Sequence, residues 1–178
     1  MELRRVLTIL VLIVIILGTF TWVFVLPSKK EVLPTAQKVS IVASFYPLAE
    51  IAQNVGGELV NVKNMTPTGV EPHDYEPTAQ QVVEVNNAQL FLFNGNGLDS
   101  WADKLKSEVE RKGVVTLRVS DHIDSLQNPE EEENDPHFWL NPLNMVKETE
   151  LVTNALIAID PNNRATYEQN RDSYKQAL

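Results

Sequence analysis

Cysteine is absent from the 178 residues of this chain. Its absence excludes disulfide bonds, thiolate zinc sites and cysteine nucleophiles, so any metal site must use imidazole and oxygen ligands. It also removes the residue that usually carries a lipid anchor after a signal peptide. Metal chemistry in this chain must therefore be sought among its histidines and its oxygen-bearing side chains.

Positive charge is also scarce. The sequence has 15 Lys and Arg against 24 Asp and Glu, which gives a formal net charge of -9. This balance repels nucleic acid and offers no general attraction to anionic lipid, so we predict no nucleic-acid partner. An excess of acidic side chains is compatible with a cation-binding surface. A solvated acidic surface that aids solubility is, however, the more common reason for such an excess.

A long apolar run is present near the N-terminus, at residues 6–26. The run is long enough to span a bilayer, and it lacks the short apolar region and small-residue cleavage site of a cleaved signal peptide. We therefore expect an uncleaved transmembrane helix and assign residues 1–28 to an N-terminal membrane anchor or signal segment. Residues 29–38 are the predicted polar linker.

Beyond the linker, short apolar runs alternate with helical patterns. The predicted strands cover residues 39–43, 59–65, 90–93 and 114–117, and the predicted helices begin near Pro47, Thr78, Ser100 and Asn141. Strands that alternate with helices indicate βαβ units and an α/β domain with a mostly parallel four-stranded sheet flanked by helices. The functional loops of such a sheet follow the carboxyl ends of its strands.

Local signals mark the starts of three helices. Thr78 and Gln81 have the spacing of a capping box. Ser100 is predicted to cap the next helix. Asn141 followed by Pro142 has the pattern of a cap and a first helical residue. The residues between each of these predicted helix starts and the preceding predicted strand are expected to form loops.

Two of the three histidines lie in loops that prolines restrict. His73 and His137 follow different predicted strands, so both could reach one cleft, and restricted loops lose less entropy when a ligand is fixed. Glu71 and Asp74 flank His73 and could add an oxygen ligand or orient its ring. Imidazole favours zinc, and added carboxylates would admit manganese. On the residues alone, a surface or hydrogen-bonding role is the more common reason for such a histidine.

Other residues give less specific signals. His122 belongs to no matching motif and is predicted to lie at the surface. The four glutamates at residues 130–133 could attract cations weakly, although a solvated charge run is the more frequent meaning of such a stretch. Tyr75 is expected either to close over the cleft or to hydrogen-bond at the surface.

Three segments together resemble the solute-binding proteins of zinc and manganese ABC importers. These segments are residues 71–78, 90–101 and 135–142, in that order and spacing. The resemblance covers residues 39–178 and implies one lobe of a two-lobed protein. It assigns residues 39–160 to an N-terminal metal-binding lobe and residues 161–178 to the start of the helix that joins the lobes, with the C-terminal lobe absent.

The resemblance also implies a function. Histidines of the two matching loops bind the metal in that family, which assigns His73 and His137 as metal ligands. A third ligand, usually another histidine, and a carboxylate are expected from the second lobe, and no enzyme chemistry is implied. The expected role is capture of Zn²⁺ or Mn²⁺ for an ABC importer permease, by a domain anchored at the extracytoplasmic side of the cell membrane.

Two other functions remain open. A membrane-anchored adhesion or scaffold module could keep the fold without transport. A metal-dependent hydrolase would need an open coordination position and a general base near the metal, and the sequence has no His-Glu-x-x-His helix or comparable catalytic pair. Tight metal binding without turnover would separate a receptor from a hydrolase, and failure to bind metal would favour the scaffold.

Overall fold

The computed structural model describes residues 4, 5, 7–15, 37–123 and 135–178. It divides into two units, Met1–Thr35 and Ala36–Leu178. In the first unit, the described residues 4, 5 and 7–15 are helical. The rest of the predicted anchor and most of the predicted linker lie outside the described residues, as do the glutamates at 130–133. No helix within the described ranges is both long enough and apolar enough to cross a membrane.

A four-stranded parallel sheet lies at the centre of the second unit. Its strands are β1 (Val39–Ala43), β2 (Val60–Asn64), β3 (Leu90–Phe93) and β4 (Val115–Arg118). The strand order is β2-β1-β3-β4, so the direction of strand addition reverses between β1 and β3. Open parallel sheets bind ligands at the carboxyl ends of the strands where this reversal occurs. The predicted α/β fold with a parallel four-stranded sheet is confirmed.

Helices cover both faces of this sheet. They are α1 (Tyr46–Gly56), α2 (Ala79–Asn86), α3 (Ser100–Arg111), α4 (Pro142–Ile159) and α5 (Arg164–Lys175). Successive side chains of a strand point to opposite faces, and β3 shows the result. Leu90 and Leu92 pack into the core formed with α1, α4 and α5, whereas Phe91 and Phe93 pack into the core formed with α2 and α3. Burial on both faces explains why β3 is apolar throughout.

Two predicted helix starts are confirmed. The Thr78 hydroxyl accepts a hydrogen bond from the backbone N–H of Gln81 at 3.4 Å, and the Gln81 side chain accepts one from the backbone N–H of Thr78 at 2.9 Å. This is the predicted capping box of α2. Asn141 accepts a hydrogen bond from the backbone N–H of Leu143 at 3.0 Å, and Pro142 is the first residue of α4.

The predicted cap at Ser100 is wrong. Ser100 is the first residue of α3, and Asp99 precedes it without forming a side-chain capping bond. The Asp99 carboxylate instead accepts hydrogen bonds from the backbone N–H groups of Asn94, at 2.7 Å, and Gly95, at 2.8 Å. Burial raises the pKa of this carboxyl. Asp99 therefore holds the turn after β3 closed, and α3 begins one residue earlier than a cap at Ser100 would require.

Candidate metal centre

His73 lies in the loop between β2 and α2, within a 3₁₀ turn at Pro72–Asp74. The proline fixes φ at the start of this turn. Tyr75 follows the turn and is buried, with its ring edge-on to Trp101 at a centroid separation of 5.9 Å. The expectation that Tyr75 closes over a cleft or hydrogen-bonds at the surface is therefore wrong, because its ring belongs to the core beneath α3. Tyr75 lies two residues after His73, and its buried ring anchors the loop that carries His73.

The loop that carries His137 is also anchored by a buried aromatic residue, which packs on the face of the sheet opposite to that of Tyr75. His137 directly precedes a 3₁₀ turn at Phe138–Leu140, and Phe138 is buried in the core with α1 and α4. Trp139 packs edge-on against Phe45, with ring centroids 4.8 Å apart, and its centroid is 5.2 Å from that of His137. Each histidine therefore lies at the surface but next to a buried aromatic residue.

The structure brings the two histidines together. Their Nε2 atoms are 3.5 Å apart, and their ring centroids are separated by 5.4 Å. Two nitrogens that each lie about 2.0–2.1 Å from one tetrahedral zinc ion are separated by about 3.4 Å. The observed spacing is therefore close to that of two ligands of a single ion. That His73 and His137 bind a metal remains a prediction.

Asp135 orients the ring of His137. Its Oδ1 atom accepts a hydrogen bond from the backbone N–H of His137 at 2.9 Å and lies 2.8 Å from Nδ1 of the ring. These hydrogen bonds, the backbone one first, lower the pKa of the Asp135 carboxyl. A carboxylate can only accept, so Nδ1 carries a hydrogen and Nε2 is the ring nitrogen left available to bind a metal. We did not predict this role, although the Asp-Pro-His sequence places a carboxylate two residues before the ring.

Other predicted site residues do not join the pair. Glu71 and Asp74 are exposed, and neither side chain hydrogen-bonds to a histidine in the part of the chain that the structure describes, so their roles remain predictions. His122 is exposed, as expected. Within the same described ranges, no group of three or more His, Cys, Asp or Glu residues is placed to hold a metal ion. The histidine pair would fill two of the four positions that a tetrahedral ion offers.

Two open cavities lie beside the histidine loops. One, of about 300 Å³, is lined by His137, Asp135 and the start of α4. The other, of about 460 Å³, is lined by Trp139 and by residues that follow β1 and β2, among them Phe45 and Thr66. These residues lie at the carboxyl ends of the strands, where ligands of a parallel sheet bind. The histidine pair is therefore accessible to an ion and to groups that approach with it.

The chain is similar to known metal-binding proteins over most of its length. Residues 41–178 match the family model described as zinc-uptake complex component A, periplasmic. The chain is 32% identical over 154 residues to the zinc-binding lipoprotein AdcA of Streptococcus pneumoniae, which covers 79% of this chain and 31% of AdcA. It is 36% identical over 140 residues to the manganese-binding lipoprotein MntA of Halalkalibacterium halodurans, which covers 79% of this chain and 46% of MntA. It is 32% identical over 146 residues to the iron-binding protein YfeA of Yersinia pestis, which covers 81% of this chain and 47% of YfeA.

The fold is shared with a solved member of this group. The crystal structure of Zn(II)-bound AdcA from Streptococcus pneumoniae matches with a TM-score of 0.72 at 32% identity, over 79% of this chain and 30% of that one. The chain spans between 31% and 47% of the length of these three relatives. The likeness therefore concerns one part of each relative.

Proposed function

The chain belongs to the family of periplasmic zinc-uptake complex component A proteins, and we propose that it forms the N-terminal lobe of an extracytoplasmic receptor that captures a divalent metal ion for an ABC importer. His73 and His137 are the proposed ligands in this lobe. The observation that carries the proposal is the 3.5 Å separation of their Nε2 atoms, because two ligands of one small cation must approach each other this closely.

The proposed ion is Zn²⁺ or Mn²⁺. Relatives are named for zinc, manganese and iron, so family membership alone leaves the metal open. A pair of imidazoles favours zinc, whereas added carboxylate oxygens favour manganese. The oxygen ligands expected from a second lobe, or Glu71 or Asp74 in this one, would therefore decide between the two ions.

Binding without catalysis fits the residues around the histidines. Metal-assisted hydrolysis needs a general base beside a metal-bound water. Among the described residues, the carboxylate that hydrogen-bonds to the pair is that of Asp135, and its Oδ1 atom accepts from the backbone and the ring of His137. This carboxylate orients a ligand. We therefore propose a receptor that releases its ion unchanged to a permease.

The test is a calorimetric titration of the full chain, kept in detergent near neutral pH, with Zn²⁺ and with Mn²⁺. His73→Ala and His137→Ala each remove one proposed ligand, and we expect each to weaken binding by about tenfold or more. His122→Ala is the matched control, since it removes an exposed histidine outside the pair. It should bind as the wild type does.

Two outcomes would contradict the proposal. If His73→Ala and His137→Ala bind either ion as tightly as His122→Ala does, the assigned histidines are not the ligands. If the wild type itself binds neither ion, the scaffold function becomes the better explanation of the fold.

We also propose that residues 6–26 hold this domain at the outer side of the membrane, where it would deliver the ion to the permease. A membrane-spanning anchor resists extraction at high pH, because its apolar surface stays in the lipid. The full chain should remain with the membranes after an alkaline wash, and deletion of residues 1–28 should release it. Extraction of the full chain by that wash would contradict the anchor.

A further inference from the structure

The backbone carbonyls on either side of His137 each accept a hydrogen bond from an asparagine side chain. Nδ2 of Asn94 donates to the carbonyl oxygen of Pro136 at 3.1 Å. Nδ2 of Asn144 donates to the carbonyl oxygen of Phe138 at 3.0 Å. The backbone is therefore tied to the fold at the peptide group that directly precedes His137 and at the peptide group that directly follows Phe138.

Asn94 links the His137 loop to the end of strand β3. It directly follows β3 and is fully buried. Its backbone N–H donates to Asp99 at 2.7 Å, and its carbonyl accepts from the backbone N–H of Ser120 at 3.0 Å. Both hydrogens of its amide are used, because Nδ2 also donates to the carbonyl of Gly95 at 3.1 Å. The Oδ1 atom of this amide has no partner in the described structure, but both Nδ2 hydrogens and the backbone groups of Asn94 are bonded, so Asn94 cannot move without disturbing the end of the sheet.

Asn144 links the His137 loop to the first turn of α4. It is the third residue of that helix and is half-buried, and its backbone N–H donates to the carbonyl of Asn141 at 2.9 Å. A rigid helix and a rigid strand therefore hold the His137 loop from two directions. The loop also makes bonds of its own, because the carbonyls of His137 and Phe138 accept from the backbone N–H groups of Leu140, at 3.1 Å, and Asn141, at 3.2 Å.

We propose that Asn94 and Asn144 are positioning residues that set the distance between the Nε2 atoms of His137 and His73. The inference rests on the proposed function, in which these atoms bind one ion. Partners that orient a ligating histidine commonly change metal affinity by about 10- to 100-fold when they are lost. Asp135 fixes the tautomer and rotation of the ring, and the two asparagines fix the backbone from which the ring projects.

Asn144→Ala is the main variant for testing this proposal. Alanine removes the bond to Phe138 while improving the intrinsic helix propensity of α4, so the fold should be retained. Asn170→Ala is the matched control. Asn170 is also a helical, half-buried asparagine, and its Nδ2 donates to the carbonyl of Val55 at 2.9 Å, which ties α5 to α1. This control loses the same kind of bond at a place that does not hold His137.

Two readouts on the full chain separate positioning from stability. Co²⁺ replaces Zn²⁺ as a coloured ion, so its visible absorption reports both affinity and coordination geometry. We expect Asn144→Ala to bind Co²⁺ about tenfold more weakly, with an altered spectrum, and to melt without metal at the wild-type temperature or above. Asn170→Ala makes the same exchange of one hydrogen bond for helix propensity, so it should melt at a similar temperature to Asn144→Ala but keep the wild-type affinity and spectrum.

The second readout needs no metal. A nuclear Overhauser effect between the two imidazole rings should be present in the wild type and in Asn170→Ala, and weakened in Asn144→Ala. Retention of the wild-type ring contact, Co²⁺ affinity and spectrum in Asn144→Ala would overturn the proposal. If the wild type binds no Co²⁺ but shows the ring contact, and Asn144→Ala loses that contact, the result would support positioning while refuting the proposed function.

Asn94→Asp provides an independent variant at the other carbonyl. It keeps the size of the side chain but places a carboxylate oxygen against the carbonyl oxygen of Pro136, which should push the two apart. We expect the same weakening of the ring contact, measured on the folded protein. A folded Asn94→Asp chain with an unchanged ring contact would remove Asn94 from the proposal.

Discussion

The buried side chain of Glu148 predicts that the free energy of unfolding of this domain depends on pH. Glu148 lies in α4 with no exposed surface, and neither oxygen of its carboxyl group has a hydrogen-bond partner in the described structure. Burial raises its pKa from 4.5 to about 8, because the charged form would lose its hydration without gaining a partner. Glu148 is therefore protonated and neutral in the folded protein near neutral pH.

The sign of the pH dependence follows from this raised pKa. Between pH 4.5 and about 8, the folded chain keeps a proton that the unfolded chain has released. The folded state binds more protons in this window, so the free energy of unfolding falls as pH rises. Below the window, Glu148 is protonated in both states and causes no loss.

The magnitude follows from the size of the shift. Each pKa unit corresponds to about 1.4 kcal/mol. At pH 7 the loss is therefore roughly 3 kcal/mol, and across the whole window it approaches roughly 5 kcal/mol. A loss of this size is a large part of the 5–15 kcal/mol that typically stabilises a domain.

The assay is urea unfolding of the wild type and of Glu148→Gln at several pH values. Glutamine has nearly the same size and no charge, so its stability should lack this pH dependence. Between pH 5 and pH 7, the wild type should lose about 2–3 kcal/mol of unfolding free energy relative to Glu148→Gln. Glu150→Gln is the matched control, since Glu150 lies in the same helix but its carboxylate is exposed and paired with Lys175.

A clear result would refute the reasoning. If the wild type and Glu148→Gln show parallel pH profiles, Glu148 is hydrated or paired in solution and is not a neutral buried acid. If Glu150→Gln changes the pH dependence as much as Glu148→Gln does, the effect comes from the charge of the helix and not from burial.

Three further predictions concern the site and its supporting helix. Asp135→Ala should weaken Zn²⁺ binding by about tenfold or more in calorimetry, because the acceptor that fixes the His137 ring is lost; wild-type affinity would show that Asp135 is not needed to orient the ring. Zn²⁺ should change the tryptophan fluorescence of the chain, since Trp139 lies beside His137, and Trp139→Phe should remove that change; a response that persists in this variant would place the ion elsewhere. Thr78→Ala should lower the free energy of unfolding by about 1 kcal/mol in urea, through loss of the capping box of α2, and an unchanged midpoint would show that the cap contributes nothing.

Much of the fold could be predicted because its signals are local. The bounds predicted for β1 and β3 agree with the structure, since each is an apolar run that the sheet buries on both faces. The cap of α2 was also predictable, because Thr78 and Gln81 are three residues apart. The prediction that Ser100 caps α3 was wrong because it considered only the local preference of serine for capping positions. The neighbouring Asp99 occupies the capping position, and its carboxylate bonds to the turn after β3, so no side-chain cap forms.

The identity of the proposed ligands could be predicted from sequence, but their spacing could not. His73 and His137 are separated by 64 residues, and 42 residues separate Asn94 from the carbonyl that it holds. The acceptors of both asparagines are backbone carbonyls, which every residue carries, so no pattern of side chains marks them. A motif search finds residues able to bind a metal, whereas the 3.5 Å between two nitrogens depends on a strand end and a helix start that the folded chain alone brings together. Substitutions at Asn94 and Asn144 should therefore change metal affinity without altering either histidine motif, and a sequence comparison restricted to those motifs would not detect the loss.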